Sequence, residues 1–164
     1  MNRTLDILPE CYVDTLLVHM LGFPNPNHQF SIGQVANSMK KPYKTRLAIG
    51  VVDNDKQQPA YFKKFELIEE KHGLIRKKHP DFKHHLIILC PAFERWVMQV
   101  AHDAEVDVSK YGFKNLKQLQ RITKNMYISQ NQSFKQFLNT LKQKNPPPVA
   151  TFITWVNDIR NDSK

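Results

Sequence analysis

Several carboxylate side chains lie where the sequence predicts the ends of strands or the first turns of helices. Asp53 and Asp55 directly follow the most apolar predicted strand of the chain. Two acids separated by one residue in an extended or turning backbone can point to the same side, and their oxygens suit Mg²⁺ or Mn²⁺. The pattern therefore indicates a divalent metal site. An Asp-Asn-Asp segment also caps helices or forms turns, so this alternative stays open here.

Three more acids occupy comparable places in the sequence. Glu10 follows a short predicted strand, and Asp14 lies about one helical turn later on the same helix face. Glu94 begins the helix that follows a buried strand at residues 85–90. Parallel strands bring their carboxyl ends to one edge of a sheet, where such folds bind ligands. We therefore expect these acids to converge, although helix dipoles alone also favour acids in first turns.

The elements that must position these acids alternate between strands and helices up to residue 104. The apolar patterns predict strands at residues 4–8, 45–52, 74–76 and 85–90. They predict helices at residues 11–21, 59–72 and 91–104. This order predicts an α/β fold with a compact, mainly parallel sheet flanked by helices. Beyond it only helical patterns recur, at about residues 114–127, 131–144 and 149–161.

The length of 164 residues predicts one domain, made of an α/β core at residues 1–109 and an all-helical extension at residues 110–164. The net charge is +9, with a balance of +1 in the core and +8 in the extension. A localised Lys/Arg surplus is typical of proteins that bind a polyanion, above all nucleic acid, DNA or RNA. A solvated basic face explains the same surplus.

The residue types of the extension are those that bind nucleic acid. Its candidates for phosphate contacts are Lys114, Lys117, Arg121, Lys124 and Lys135. Its candidates for stacking on unpaired bases are Tyr111, Phe113 and Tyr127. Aromatic residues in this pattern more often belong to the core, and we favour that interpretation for these three.

Other kinds of site are disfavoured by the sequence. It contains no Gly-x-x-x-x-Gly-Lys-Ser/Thr loop, no Gly-x-Ser-x-Gly elbow and no dinucleotide fingerprint. Its two cysteines cannot alone form a four-ligand zinc site or a disulfide framework. His79, His84 and His85 lack metal-ligand spacing and favour an exposed basic hairpin. No apolar run approaches the roughly 18 residues of a membrane span, and no signal-peptide pattern is present, so we expect a cytoplasmic protein without membrane contact.

Three segments resemble Toprim domains. The segment from Leu5 to Asp14 is similar to their opening strand, which ends in Glu-Gly-x-x-Asp before a helix. Ile49 to Asp55 resembles their later strand, which ends in Asp-x-Asp. The segment from Cys90 to Val97 is similar to a Pro-x-Phe-Glu-x-Trp element in small stand-alone Toprim-like proteins of prokaryotic defence systems. The resemblance covers about residues 3–104 and leaves the helical extension outside it.

The resemblance implies Mg²⁺ or Mn²⁺ as cofactor and phosphodiester chemistry on nucleic acid. Carried over, the metal ligands are Asp53, Asp55, Glu10 and Asp14, and the catalytic residues are Glu10, as general acid/base or ligand, and Glu94. Cys11 stands where the family has glycine, and a side chain there narrows the space beside the site.

Three interpretations of function follow. The first is a small metal-dependent nuclease. The second is a non-catalytic module that binds nucleic acid or a protein partner, which Cys11 and the short chain favour somewhat. The third is a subunit that cuts only together with an ATPase partner.

Overall fold

A computed structural model of the chain describes residues 3–54 and 57–164. Its strands are β1 (Ile7–Pro9), β2 (Ala48–Asp53), β3 (Glu66–Lys71), β4 (Leu74–Lys78) and β5 (His84–Leu89). They form one sheet in the order β1-β2-β5-β4-β3. The first three strands of this order are parallel, whereas β4 runs antiparallel to both of its neighbours. The α/β class is confirmed, but the predicted mainly parallel character is not, because two of the four strand pairings are parallel and two are antiparallel.

The α-helices of the described residues are α1 (Tyr12–Met20), α2 (Ile32–Lys40), α3 (Phe93–Asp103), α4 (Leu116–Thr123), α5 (Gln132–Lys144) and α6 (Pro147–Asp162). The helices that the sequence predicts are α1, α3, α4, α5 and α6, and each begins and ends within a few residues of its expected bounds. Only α2 covers one face of the sheet together with a short 3-10 helix, Ala60–Lys64. The other helices share the opposite face. Among the described residues, no helix combines the length and apolar character needed to cross a bilayer.

The predicted helix at residues 59–72 is wrong. The chain there forms the 3-10 helix and then β3, which returns as β4 through a tight turn at His72 and Gly73. Both turn residues have positive φ, 56° and 72°, as in the two-residue turns that suit hairpins. β3 is an edge strand that exposes both Leu67 and Ile68. Its sequence therefore lacks the alternation of apolar and polar residues that identifies a half-buried strand.

Two buried clusters lie on the two faces of the sheet. The larger one joins the sheet to α1 and α3 and to the helices of the extension, up to Ile159. The smaller one packs α2 and the aromatic residues of the 3-10 helix against the other face. Gly50 in β2 permits this close approach, because a Cβ there would lie 2.8 Å from the Leu86 side chain and 3.0 Å from Val35.

The predicted exposed histidine hairpin is also wrong, since His79, His84 and His85 are buried. His84 lies between the Tyr61 hydroxyl, 2.6 Å from its Nδ1, and the Tyr43 carbonyl oxygen, 2.8 Å from its Nε2. The rings of Tyr61 and Phe65, in and just after the 3-10 helix, pack against His79, and Tyr61 also contacts His84. These packing partners are distant in sequence, so the local Lys/His pattern does not reveal them.

The helical extension packs closely against the rest of the molecule. Trp155 of α6 donates a hydrogen bond from its indole N–H to Glu69 on β3, with Nε1 3.1 Å from Oε2. Arg160 of the same helix forms an ion pair with Asp6, with Nε 2.8 Å from Oδ2. The basic extension is therefore held at β3 and just before β1, the two outer strands of the sheet.

Candidate metal centre

Three of the predicted metal ligands converge at the carboxyl edge of the parallel strands. Glu10 follows β1, Asp53 ends β2, and Asp14 lies in the first turn of α1. One carboxylate oxygen from each lies within 4.8 Å of the others. Three carboxylates this close repel one another unless a cation or protons offset their charge.

Asp14 is the most unusual member of this group. It is 0% exposed, and among residues 3–54 and 57–164 neither of its carboxyl oxygens has a hydrogen-bond partner. Burial raises its pKa well above the usual value, and the charges of Asp53 and Glu10 raise it further. A hydrogen-bonding interaction with the Cys11 thiol acts more weakly in the opposite direction and lowers this pKa, although the two side chains do not meet the geometry of a hydrogen bond. A buried carboxyl group without hydrogen-bond partners destabilises the fold. Fold stability therefore does not explain the presence of Asp14 at this position.

Backbone hydrogen bonds hold the other two acids in place. Asp53 Oδ1 accepts a hydrogen bond from the Phe93 amide at the start of α3, with an N–O distance of 2.9 Å. The Asp53 amide in turn donates to Glu10 Oε1, at 3.2 Å. These bonds connect the ends of β1 and β2 to the first turn of α3. The side chains are therefore positioned by three different elements rather than by one loop.

Glu94 lies one residue beyond Phe93, in the first turn of α3. Its Oε1 accepts a hydrogen bond from the Thr123 hydroxyl at the end of α4, with an O–O distance of 2.6 Å. Its charge also raises the pKa of Asp14. Glu94 therefore acts electrostatically on the acid cluster, by which we mean Glu10, Asp14 and Asp53. It also connects this cluster to the basic helix α4.

Asp55 lies outside the described residues.

Cys11 is the N-cap residue of α1, with φ of −140° and ψ of 175°. This is extended backbone that any residue adopts, so the backbone does not require glycine at this position. The thiol is half-buried, and burial together with Asp14 raises its pKa far above the usual value. Cys11 is therefore a protonated neighbour of the cluster and not an additional anion.

The predicted cationic residues lie in two places. Lys114 precedes α4, while Lys117, Arg121 and Lys124 lie on it or at its end, and all four are exposed. Lys135 lies on α5 and lines a cavity beside α1. Thr123 contacts Glu94, so the last turn of α4, the helix that carries these cations, lies beside the first turn of α3.

The aromatic residues of the extension are mostly not available for stacking. Phe113 is 1% exposed, and Tyr111 packs against Phe137 with its hydroxyl 3.0 Å from Thr140 Oγ1. Only Tyr127 is well exposed. The core interpretation is therefore confirmed for Phe113, holds in part for the half-buried Tyr111, and is wrong for Tyr127.

A different aromatic group lies at the start of α1, and the sequence pattern does not identify it. It consists of Tyr12, His28 and Phe30, and Phe30 is 76% exposed. The segment before α2 carries no clear periodic pattern, so neither its course nor the contact between these rings is evident from the sequence. The one available signal is a Phe between polar residues immediately before a helix N-cap, Ser31.

Comparisons with protein-family models, with curated proteins and with solved structures found no match to this chain.

Proposed function

We propose that the protein performs metal-dependent phosphodiester chemistry on nucleic acid. The observation that carries the proposal is Asp14, a fully buried carboxyl group without a hydrogen-bond partner among the described residues, whose oxygen lies within 4.8 Å of ligand oxygens of Glu10 and Asp53. Structural carboxylates are usually exposed, paired or hydrogen-bonded. A divalent cation would supply the missing partner.

The donor set fits Mg²⁺ or Mn²⁺. All three candidate ligands are carboxylates, which these hard cations prefer. Glu10, Asp14 and Asp53 would hold the ion, with Asp55 as a further candidate ligand. When bound, such an ion neutralises phosphate charge and polarises a phosphoryl oxygen.

Glu94 is the candidate general acid/base in this proposal. It lies at the same edge of the sheet, and the Thr123 hydroxyl restrains one of its carboxylate oxygens. A restrained carboxylate beside the cation site is suited to move a proton to or from a reacting oxygen. Thr123 is then a positioning residue for Glu94.

The basic extension supports nucleic acid as the substrate. An acidic cluster alone repels a polyanion, and the exposed cations of α4, a helix that contacts Glu94 through Thr123, would offset this repulsion. The cation would bind the scissile phosphate, and Lys117, Arg121 and Lys124 would contact neighbouring phosphates. The Toprim-like assignment belongs to the same proposal, since Glu10, Asp53 and Glu94 follow the adjacent parallel strands β1, β2 and β5.

Binding without cleavage is the second candidate function. The observation that favours it is Cys11, whose half-buried side chain packs against the core beside Asp14. A side chain at this position reduces the space available for substrate at the cluster. A role as the binding subunit of an ATPase-dependent nuclease in prokaryotic defence is compatible with this version.

An assay with end-labelled single- and double-stranded DNA and RNA separates the two functions. The nuclease proposal predicts cleavage in Mg²⁺ or Mn²⁺ that stops in EDTA and is lost in Asp53→Ala. The exposed Asp158→Ala on α6 is the matched control and should cleave normally. A shift in mobility without cut ends would support the binding module instead. Equal cleavage by wild type and Asp53→Ala would refute the proposed centre.

A further inference from the structure

The segment before α2 extends the sheet beyond β1 toward the acid cluster. The Asn27 amide donates to the Ile7 carbonyl oxygen at 2.9 Å, and the Gln29 amide donates to the Pro9 carbonyl oxygen at 2.8 Å. The side chain of Asn27 also donates to the Tyr43 hydroxyl. The chain therefore runs alongside β1 and is anchored there. These bonds place Gln29 level with Glu10 and Phe30 level with Cys11, at the carboxyl end of β1.

Three rings form what we call the aromatic platform: Tyr12, His28 and Phe30. Tyr12 and His28 stack, with ring centroids 4.5 Å apart and planes at 22°. Phe30 meets both rings edge-on, at 4.8 Å from His28 and 6.5 Å from Tyr12. These contacts hold the Phe30 ring while leaving 76% of the residue exposed. A large ring that is both restrained and exposed offers a surface for stacking.

Hydrogen bonds fix the orientation of His28 within the platform. The Thr15 hydroxyl donates its one hydrogen to the Cys11 carbonyl oxygen, at 2.7 Å. Because that hydrogen is already used, the Thr15 oxygen accepts a hydrogen bond in its 2.6 Å contact with His28 Nδ1. His28 therefore carries its proton on Nδ1. Burial lowers the pKa of His28, which keeps the ring neutral at physiological pH. The platform is thus tied to the first turn of α1, next to Glu10 and Asp14.

A cavity of about 430 Å³ opens beside Tyr12 and His28. Its lining includes the cationic side chains Arg3 and Lys135 and also His19, but no Asp or Glu among the described residues. Its volume falls within the range of small-ligand sites. Its charge is opposite to that of the acid cluster and complementary to a phosphate group. Met126 and Ile128, which follow the end of α4, form another part of its wall.

We infer that the aromatic platform and this cavity bind an unpaired nucleotide of a single-stranded nucleic acid, adjacent to the phosphate at the acid cluster. The inference rests on the proposed function and specifies its substrate as single-stranded. A base stacks on Phe30, and a neighbouring phosphate enters the cavity beside Arg3 and Lys135. A paired base cannot reach the platform in this way, because its faces are already stacked within the duplex.

The test measures binding without cleavage, by fluorescence anisotropy in EDTA. The probes are labelled oligothymidine and oligouridine of about 10 nucleotides, a length that single-strand-binding domains cover, and a duplex of equal length. Phe30→Ala should weaken binding of the single strands by about 10- to 100-fold, with little effect on the duplex. Phe30→Trp should retain affinity because it keeps the stacking surface. Leu67→Ala, at the opposite sheet edge, removes a comparably exposed apolar side chain and should change nothing.

The outcomes distinguish this inference from the proposed centre. Asp14→Asn should leave single-strand binding in EDTA intact while removing Mn²⁺ binding, and Phe30→Ala should do the reverse. Equal single-strand affinity in wild type and Phe30→Ala would overturn the inference even if the metal centre is correct. An equal loss of duplex binding would also overturn it, since that result indicates a general contact surface. Preference between the two oligonucleotides identifies DNA or RNA as the better ligand.

Discussion

Asp53 accepts a hydrogen bond from the Phe93 amide, with Oδ1 2.9 Å from the nitrogen. This bond joins the end of β2 to the first turn of α3, although the two residues are 40 positions apart. Through it, the carboxylate next to Asp14 is oriented by the N-terminus of a helix, where the helix dipole favours negative charge. The same turn carries Glu94. One backbone contact therefore sets the relative positions of a candidate ligand and the candidate general acid/base.

Asp14→Asn is predicted to stabilise the metal-free protein. The substitution removes a buried carboxyl group that lies among other acids and lacks a hydrogen-bond partner within the described residues. We expect the free energy of unfolding to rise by about 1–3 kcal/mol at pH 7 in EDTA. Urea denaturation followed by circular dichroism measures this change.

Asp158→Asn is the control for that experiment, because it removes an exposed carboxylate from α6. It should change the free energy of unfolding by less than about 0.5 kcal/mol. A loss of stability in Asp14→Asn would indicate that Asp14 serves the fold, which contradicts its assignment to the cation site.

Glu94→Gln is predicted to lower the cleavage rate by about 100- to 10,000-fold, because it removes the proton-transferring carboxylate while keeping the shape of the side chain. Mn²⁺ affinity should stay nearly unchanged, since Glu94 is not one of the three convergent ligands. Single-turnover kinetics at saturating metal separate the two effects. Glu66→Gln on the exposed edge strand is the matched control. A parallel loss of metal affinity would reassign Glu94 as a ligand.

Neutralising the cations of α4 is predicted to weaken nucleic-acid binding and its salt dependence together. The triple variant of Lys117, Arg121 and Lys124 to Gln removes about three phosphate contacts. The slope of log K against log salt for single strands should fall in magnitude by about 2. Substituting Lys40, Lys41 and Lys44 removes the same charge near the end of α2 and should leave the slope almost unchanged. Similar slopes for both variants would argue against a specific role for α4.

Acidification is predicted to destabilise the fold through buried histidines. Burial lowers the pKa of His85 to about 4, and the charges of Arg76 and Lys78 act in the same direction. Unfolding restores the ordinary pKa of about 6.5, so the unfolded chain binds an extra proton between these values. The resulting stability is complete above pH 6.5, falls as the pH drops toward 4, and amounts to about 3 kcal/mol at most.

His85→Leu should flatten this dependence between pH 6.5 and about 4. Part of the slope should persist, because burial also lowers the pKa values of His79 and His84. Chemical denaturation at a series of pH values measures the slope. An unchanged slope in His85→Leu would show that His85 does not carry the effect.

The predictable parts of the fold are those whose patterns are local. The apolar runs of β2 and β5 and the helical spacing in α1, α3, α5 and α6 identify these elements from the sequence. The segment that leads into the hairpin of β3 and β4 is different. Tyr61, Phe62 and Phe65 have helical spacing, but they pack on the face of the sheet that α2 covers. Its strand β3 is exposed at the edge, and pairing rather than burial holds it in place.

The candidate site was predictable in its residues but not in its electrostatics. Glu10, Asp14 and Asp53 follow from strand ends and helix spacing, and the structure brings them together. The complete burial of Asp14 depends on how α1 packs against the sheet, and no local pattern reports it. The aromatic platform depends on a segment that pairs with β1 without regular strand structure. Contacts of this kind are set by tertiary packing.

Mn²⁺ titration by isothermal calorimetry tests the central claim most directly. Wild type should show saturable Mn²⁺ binding that EDTA reverses, and the double variant Asp14→Asn, Asp53→Asn should show none while remaining folded by circular dichroism. Asp158→Asn should bind like wild type. Equal Mn²⁺ affinity in wild type and the double variant, or no binding by wild type, would contradict the assignment of a metal centre to Glu10, Asp14 and Asp53.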